Sequence, residues 1–247
     1  MAFIKKVYKL RHAVEIEEYH SDRYRPPDGK RRKRSKPTPE QMEKTNHRQK
    51  VKKARRMIRN NFDVGDYYGT LTYAPENRPA DMKACQKDLS NLIRKLRGAY
   101  KRKGVELKWM ANIEVGKRGA WHIHIIINEL VADDVPMTSG LIRKYWTKGS
   151  RNEKALRPEG GFKDLAEYLT KDSKSDPDHI VESKWSHSRN LTVPEPEIHK
   201  YVRRRTWKED IKVPSGYYLD QESIVETINP LTGWEYRSYS LLREETG

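Results

Sequence analysis

Two histidines separated by a single residue are the most informative feature of this 247-residue sequence. They lie in the stretch Trp121-His122-Ile123-His124-Ile125-Ile126-Ile127, whose composition predicts a β-strand. Successive side chains of a strand point to opposite faces, so His122 and His124 share one face and the apolar side chains around them share the other. Two imidazoles at this spacing can share one metal ion. A pair of hydrogen-bonded or exposed strand histidines would give the same pattern.

A carboxylate is expected beside these histidines if the preceding turn has one particular length. Residues 107–115 also alternate between apolar and polar side chains, and Glu114 lies on the polar face. If Lys117-Arg118-Gly119 is a three-residue hairpin loop with its glycine in the left-handed conformation, Glu114 lies directly opposite His122. Opposed residues point to the same side of a sheet, and two imidazoles with one carboxylate suit a divalent cation that also accepts substrate oxygens. A turn of two or four residues would send Glu114 to the other face.

A tyrosine and a lysine can face the same site from a helix. The stretch 161–174 is predicted to be helical because its apolar residues recur at helical spacing, and Tyr168 lies outside that apolar stripe. Lys171, three residues later, is a same-side neighbour of Tyr168. A phenol beside an ammonium group is a candidate nucleophile. The alternative is an amphipathic tyrosine at a helix edge with an ordinary solvated lysine.

The elements that would position these residues follow one another in a compact α/β pattern. We predict a strand over 67–73, a helix over 81–102, strands over 105–115 and 120–128, helices over 138–147 and 161–174, and a strand over 189–193. Three regions result: a basic extension over 1–61, a central domain over 62–194, and a C-terminal extension over 195–247 with a hairpin over 216–242. In the first region we expect a strand over 4–16, a basic loop over 21–39 and a helix over 39–61 that Thr38 caps.

The charge balance favours a polyanionic partner. The chain has 51 Lys and Arg against 35 Asp and Glu, a net charge of +16, and residues 1–61 alone contain twenty basic and seven acidic residues. Nucleic acid is the first candidate, although a solvated face or a targeting patch has a similar composition. The candidate phosphate contacts are Arg31, Arg32, Lys33, Arg34, Arg55, Arg56, Arg59, Lys117, Arg118 and Arg189.

Cysteine usage and hydropathy limit the class of protein. Cys85 is the only cysteine, which leaves no intrachain disulfide and no cysteine-rich zinc module. The first residues run quickly into charge, and no stretch approaches the roughly 20 apolar residues of a membrane span. We therefore expect a protein of the bacterial cytoplasm with no membrane partner.

Taken together, the motifs resemble those of the HUH endonuclease superfamily, in particular the rolling-circle replication initiator (Rep) proteins of phages and plasmids. The stretch 69–73 is similar to the first motif of that family, His122-Ile123-His124 to its metal motif, and Tyr168-Leu169-Thr170-Lys171 to its Tyr-x-x-Lys nucleophile motif. Residues 55–62 and 188–191 resemble the branch that includes filamentous-phage gene II-like proteins. The resemblance implies an α+β fold with a central antiparallel sheet flanked by helices, the histidines on its middle strand and the tyrosine helix beside it.

The same resemblance implies an activity. We expect metal-dependent nicking and joining of single-stranded DNA, with Tyr168 forming a 5′-phosphotyrosine, Lys171 supplying positive charge, and Glu114, His122 and His124 holding one Mn²⁺ or Mg²⁺. The expected substrate is single-stranded or cruciform origin DNA. A host helicase and polymerase are the expected partners, because the sequence contains no ATP-binding phosphate loop.

Three alternatives remain open at this point. One is the same chemistry in a conjugative relaxase or a single-strand transposase. Another is a DNA-binding replication regulator without catalysis, in which the histidines and the tyrosine merely pack. The third is a ribonuclease or RNA-binding protein that uses the same basic surface.

Overall fold

A computed structural model of the chain describes residues 3–21, 36–156, 162–201, 210–229 and 232–244. Its α+β fold confirms the predicted class, with four α-helices and two five-stranded antiparallel sheets in the described ranges. The elements are β1 (Phe3–Lys9), β2 (Ala13–His20), α1 (Pro39–Asn61), β3 (Tyr67–Thr72), α2 (Met82–Arg102), β4 (Trp109–Gly116), β5 (Trp121–Ile127), β6 (Val131–Ala132), β7 (Val135–Pro136), α3 (Thr138–Tyr145), β8 (Arg151–Ala155), α4 (Lys163–Thr170), β9 (Ile180–His187), β10 (Glu197–Tyr201), β11 (Tyr217–Ile228) and β12 (Glu235–Arg243). None of the helices in these ranges is both long enough and apolar enough to cross a lipid bilayer.

The chain divides into two compact units. One consists of Gln49–Thr192, and the other combines Met1–Arg48 with Val193–Gly247, so that the boundary falls within α1. The sequence analysis instead treats the two chain ends as separate extensions. In the structure, strands from both ends belong to one sheet.

The unit Gln49–Thr192 is built on a sheet with strand order β8-β3-β5-β4-β9, in which every pair is antiparallel. The histidine strand β5 is therefore the central strand. Odd-numbered residues such as Ile113 and Ile123 pack against the buried stripes of α2 and α3. Even-numbered residues such as Met110 and Ile126 pack in a second cluster, against α1 and α4. The sheet thus separates a layer made by α2 and α3 from a layer made by α1 and α4.

Local sequence signals explain where the two long helices begin. Asp81 caps α2 by accepting a hydrogen bond from the backbone N–H of Ala84 at 2.7 Å. Thr38 and Gln41 form a reciprocal capping box at the start of α1, in which each side chain accepts from the other residue's backbone N–H at 3.2 and 3.0 Å. The predicted cap of α1 and the predicted helix in α2 are confirmed.

The second unit contains a sheet with strand order β10-β1-β2-β12-β11. The single strand predicted over 4–16 is wrong, because the chain turns after Lys9 and residues 3–20 form the hairpin β1–β2. The predicted C-terminal hairpin is present as β11 and β12. Across β2 and β12, Arg237 donates two hydrogen bonds to one oxygen of Glu18 and both side chains are almost fully buried. This pair joins the N-terminal and C-terminal ends of the chain within one core.

Several other boundaries differ from the sequence prediction. Strand β4 begins at Trp109 rather than at 105, and β8, β9 and β10 were not predicted. No strand forms over 189–193, because the pairing with β4 is made by the preceding residues 180–187. Edge strands such as β9 bury few side chains on either face, so their sequences lack the alternation that marks a half-buried strand.

Candidate active site

The three central strands place a polar cluster on the even-numbered face of the sheet. Glu114 on β4 is the direct cross-strand partner of His122, as the sequence predicted. The predicted loop is also present: the N–H of Gly116 donates to the carbonyl of Ala120 at 3.0 Å, and Gly119 has a φ of 69°. His124 pairs with Asn112 on one side and with Thr70 of β3 on the other.

His124 is the best-fixed side chain of this cluster. Its ring is 1% exposed, its Nε2 is hydrogen-bonded to Glu114 Oε1 at 2.9 Å, and its Nδ1 is hydrogen-bonded to Thr70 Oγ1 at 3.0 Å. The half-buried ring of His122 lies parallel to it, with 6.1 Å between the ring centres. The two imidazoles project side by side from β5.

The charges of the cluster influence one another. Burial alone would raise the pKa of Glu114, but the hydrogen bond from His124 and the nearby cationic groups, among them Lys171, hold that pKa below its usual range. Burial lowers the pKa of His122, as does the neighbouring His124, and Glu114 only partly opposes this. An ionised carboxylate beside a neutral imidazole is the state in which both groups can donate electron pairs to a cation.

The donor set is chemically suited to a divalent cation, but its present arrangement is incomplete. Two ligand atoms that each lie about 2.1 Å from a cation, at a right angle, are about 3.0 Å apart, which is close to the spacing between His124 Nε2 and Glu114 Oε1. Within the described ranges, however, no three His, Cys, Asp or Glu side chains are grouped so that they could hold a metal ion. Cation binding here would require His122 to move toward the other two side chains.

Tyr168 lies on α4 against this cluster. Its ring centre is 4.3 Å from that of His124, and the two rings are nearly perpendicular. Ala166 and Leu169 anchor α4 in the core beneath the sheet, which leaves the half-buried Tyr168 at the polar patch. Burial, together with the negative charge of Glu114, raises the pKa of Tyr168. The predicted proximity of this phenol to the histidines is present.

Lys171 also faces Tyr168, although it does so from a position just beyond the helix. The predicted helix to 174 is wrong: α4 ends at Thr170, and Lys171 is its extended C-cap residue. The ammonium group of Lys171 is 5.5 Å from the centre of the Tyr168 ring and 3.2 Å from Asp176 Oδ2. Asn112 and Ser183 both donate hydrogen bonds to the backbone carbonyl of Lys171, at 3.3 and 3.0 Å.

Residues 66–173 match the family model of the replication-associated protein ORF2/gene II protein. The matched segment extends from just before β3 to just after α4, so it contains all five predicted site residues, namely Glu114, His122, His124, Tyr168 and Lys171. No curated protein and no solved structure matches the chain. The family match supports a replication-associated role for this unit.

Four residues around the cluster were not predicted from the sequence. Thr70 and Asn112 are on the even-numbered face beside His124, and the alternation of their strands was a signal that could have identified them. Ser183 lies on the unpredicted strand β9. Lys50 of α1 donates to the carbonyl of Thr170 and to Asp172 Oδ2, both at 2.9 Å, and no sequence signal connects residues 120 positions apart.

The predicted phosphate contacts are placed unevenly. Arg31, Arg32, Lys33 and Arg34 lie outside the described residues. Lys117 and Arg118 are exposed in the β4–β5 loop, and Arg189 is exposed after β9. In α1, Arg55 is half-buried while Arg56 and Arg59 are buried, which makes the last two poor candidates for contact with DNA.

Proposed function

We propose that the unit Gln49–Thr192 nicks and rejoins single-stranded origin DNA through a covalent 5′-phosphotyrosine at Tyr168. The observation that carries this proposal is the contact of the Tyr168 ring with His124, which is itself hydrogen-bonded to Glu114. A phenol, two imidazoles and a carboxylate on one polar patch match the parts that phosphodiester transfer to a tyrosine requires. The match to a replication-associated family supports the origin of replication as the place where the reaction occurs.

The reaction is a displacement at phosphorus. The phenol of Tyr168 gives up its proton, and its oxygen forms a bond to the phosphorus as the bond from phosphorus to the 3′ oxygen breaks. The leaving 3′ oxygen takes up a proton and becomes a free 3′-OH that can prime synthesis. Attack by a 3′-OH on the phosphotyrosine reverses the same steps and rejoins the strand.

Lys171 would supply positive charge at this displacement. Its ammonium group lies over the Tyr168 ring and is only partly buried, so an incoming phosphate can compete with Asp176 for it. Because burial and Glu114 raise the pKa of Tyr168, forming the phenolate depends on added positive charge near its oxygen. The two donors to the carbonyl of Lys171 fix the position of its backbone.

Glu114, His122 and His124 would hold a divalent cation, either Mn²⁺ or Mg²⁺. When bound, such a cation polarises the scissile phosphate and stabilises the charge that develops on its oxygens. Mixed nitrogen and oxygen donors accept either metal.

The other tyrosines near the sheet are less suited to be the nucleophile. Tyr73 points to the α2 side, where its hydroxyl contacts Cys85 Sγ and Asp88 Oδ2, and Tyr67 is buried in the same core. Tyr68 is half-buried on the even-numbered face, and its pKa is raised to about 12 by burial and by the charges of Tyr168 and Glu114. Tyr68 is therefore the matched control for Tyr168.

The test uses single-stranded DNA that carries a randomised segment and a 3′ label, incubated with the full chain and manganese. Cleavage by Tyr168 leaves the label on protein, as a band that survives denaturation, and mass spectrometry of the digested adduct should identify the peptide that contains Tyr168. Tyr168→Phe should lose the band while retaining DNA binding, whereas Tyr68→Phe should retain both. An adduct that persists in Tyr168→Phe, or that maps to another tyrosine, would contradict the proposal. DNA binding without any adduct in the unaltered chain would favour the non-catalytic regulator.

A further inference from the structure

The exposed face of α2 carries an unusual excess of positive charge. Residues 82–103 contain eight Lys and Arg but only one acidic residue, Asp88. All eight basic side chains are exposed, namely those of Lys83, Lys87, Arg94, Lys95, Arg97, Lys101, Arg102 and Lys103. An ordinary solvated helix face mixes charges of both signs, because like charges at helical spacing destabilise it. This imbalance therefore needs a partner that uses it.

The basic side chains form a continuous stripe along the helix. Lys87, Arg94 and Lys101 are seven residues apart, so they lie almost in line and about 10 Å from one another. The buried stripe of α2, which includes Leu92 and Leu96, faces the opposite direction and packs against the sheet. The core thus holds α2 in an orientation that presents the basic stripe outward.

Helix α3 and the residues that follow it extend this positive surface. Residues 138–148 contain three basic residues, Arg143, Lys144 and Lys148, and no acidic residue. Arg94, Lys95 and Lys148 line a cleft between the two helices together with Tyr145 and Trp146. Lys148 is also 3.2 Å from Asp88, so the one acidic residue of α2 already has a cationic partner.

This surface is separate from the candidate active site. The helices α2 and α3 cover the odd-numbered face of the sheet, whereas His124 and Tyr168 lie on the even-numbered face with α1 and α4. A DNA strand at Tyr168 does not also contact the stripe on α2 without passing around an edge of the sheet. The two surfaces can therefore hold different parts of a DNA molecule.

We propose that the exposed face of α2 and α3 binds the phosphate backbone of duplex DNA. Proteins that bind single strands combine a basic groove with exposed aromatic side chains on which bases stack. The only aromatic residue of α2 is Tyr100, which is buried, and Trp146 of the cleft is also buried. A rigid row of cations without a stacking platform suits the regular phosphates of a duplex. This proposal goes beyond the nicking reaction and does not depend on Tyr168.

The test compares two charge reversals in the full chain by fluorescence anisotropy, without divalent cations, on a labelled duplex and on the single strand of the same sequence. Arg94→Glu with Lys101→Glu alters the stripe. Lys154→Glu with Lys212→Glu, which changes two exposed lysines elsewhere, is the charge-matched control. Circular dichroism verifies that each variant is folded.

We expect the stripe variant to lose roughly tenfold in duplex affinity, and the slope of log affinity against log salt to become shallower by about two. The control should change neither quantity by more than a small fraction of this. An equal loss in the control, or a loss with the single strand as large as that with the duplex, would overturn the proposal. Nicking of single-stranded DNA by the same variants reports on Tyr168 separately.

Discussion

Glu114 and His124 are hydrogen-bonded diagonally across two neighbouring strands, although neither is the other's direct partner. The register places Glu114 opposite His122 and His124 opposite Asn112, yet Glu114 Oε1 lies 2.9 Å from His124 Nε2. Diagonal neighbours in an antiparallel pair are within reach of long side chains. The carboxylate is consequently linked to the more buried of the two histidines, the one that also contacts Tyr168.

Replacing Glu114 by glutamine tests whether this pair belongs to a cation site. Glu114→Gln keeps the shape of the side chain but removes the charge that attracts a cation, so manganese affinity should fall by at least about tenfold. Calorimetric titration measures it directly. Glu106→Gln, which alters an exposed carboxylate shortly before β4, serves as the control and should bind manganese normally. Equal affinities in the two variants would exclude Glu114 from the site.

Lys50 should stabilise the end of the nucleophile helix in a manner that depends on pH. Partial burial would raise the pKa of Asp172, but the hydrogen bond from Lys50 and those from Ser175 lower it to about 2. A carboxyl whose pKa falls on folding stabilises the protein above its ordinary pKa of 3.8, and this contribution is lost as the pH falls toward 2. Lys50→Met should therefore cost about 1 kcal/mol at pH 6 and less near pH 3.

Urea unfolding at the two pH values measures this difference. Lys53→Met removes an exposed lysine from the same helix, and it should cost little at either pH. A cost for Lys50→Met that is the same at pH 6 and pH 3 would mean that Asp172 does not carry the effect. Part of the cost should remain at low pH, because Lys50 also donates to the carbonyl of Thr170.

Gly149 should be intolerant of any side chain. A Cβ at this position would collide with backbone atoms of Thr72, Tyr73 and Ala74 at the end of β3, and backbone cannot move aside cheaply. Gly149→Ala should lower stability by roughly 1–3 kcal/mol, as other overpacking substitutions do. In contrast, Gly140→Ala in α3 meets open space and should be neutral or stabilising. Thermal melting of the two variants distinguishes them, and similar melting temperatures would contradict the close approach.

The basic residues Arg31, Arg32, Lys33 and Arg34 should contribute to DNA affinity through phosphate neutralisation. Changing all four to alanine should weaken binding at moderate salt and reduce the salt slope by about one for each phosphate that is no longer neutralised. Substitution is preferable to removal of residues 1–37, because β1 and β2 occupy that segment and pair within a five-stranded sheet. The matched control changes the four exposed lysines Lys154, Lys184, Lys200 and Lys212 to alanine. If both sets reduce the slope equally, residues 31–34 have no special role in DNA binding.

The sequence predicted those parts of the candidate site that depend on local geometry. The position of Glu114 followed from strand alternation and from a loop of three residues with Gly119 in the left-handed conformation. The neighbourhood of Tyr168 and Lys171 followed from their spacing, even though the helix ends between them. The roles of these residues in catalysis remain predictions.

Other features could not be predicted because they depend on contacts between distant segments. Lys50 meets Asp172 only because α1 and α4 pack on the same face of the sheet. Arg56 and Arg59 look like ordinary surface charges in the sequence, and only the packing of α1 reveals that they are buried. The strand β9 has few buried residues, so it is defined by its pairing with β4 rather than by its own pattern.

The hydroxyl of Thr70 allows the ring of His124 to exist as either neutral tautomer. While Glu114 is ionised and accepts from Nε2, the proton is on that nitrogen and Nδ1 accepts from Thr70 Oγ1. If a cation took the place of that hydrogen bond, the proton would have to move to Nδ1, and Thr70 would then accept instead of donate. A hydroxyl can reverse its role in this way, whereas Thr70→Val would leave a buried ring nitrogen unpaired in both tautomers. The uncharged strand β3 therefore determines whether the buried imidazole can exchange a carboxylate partner for a cation.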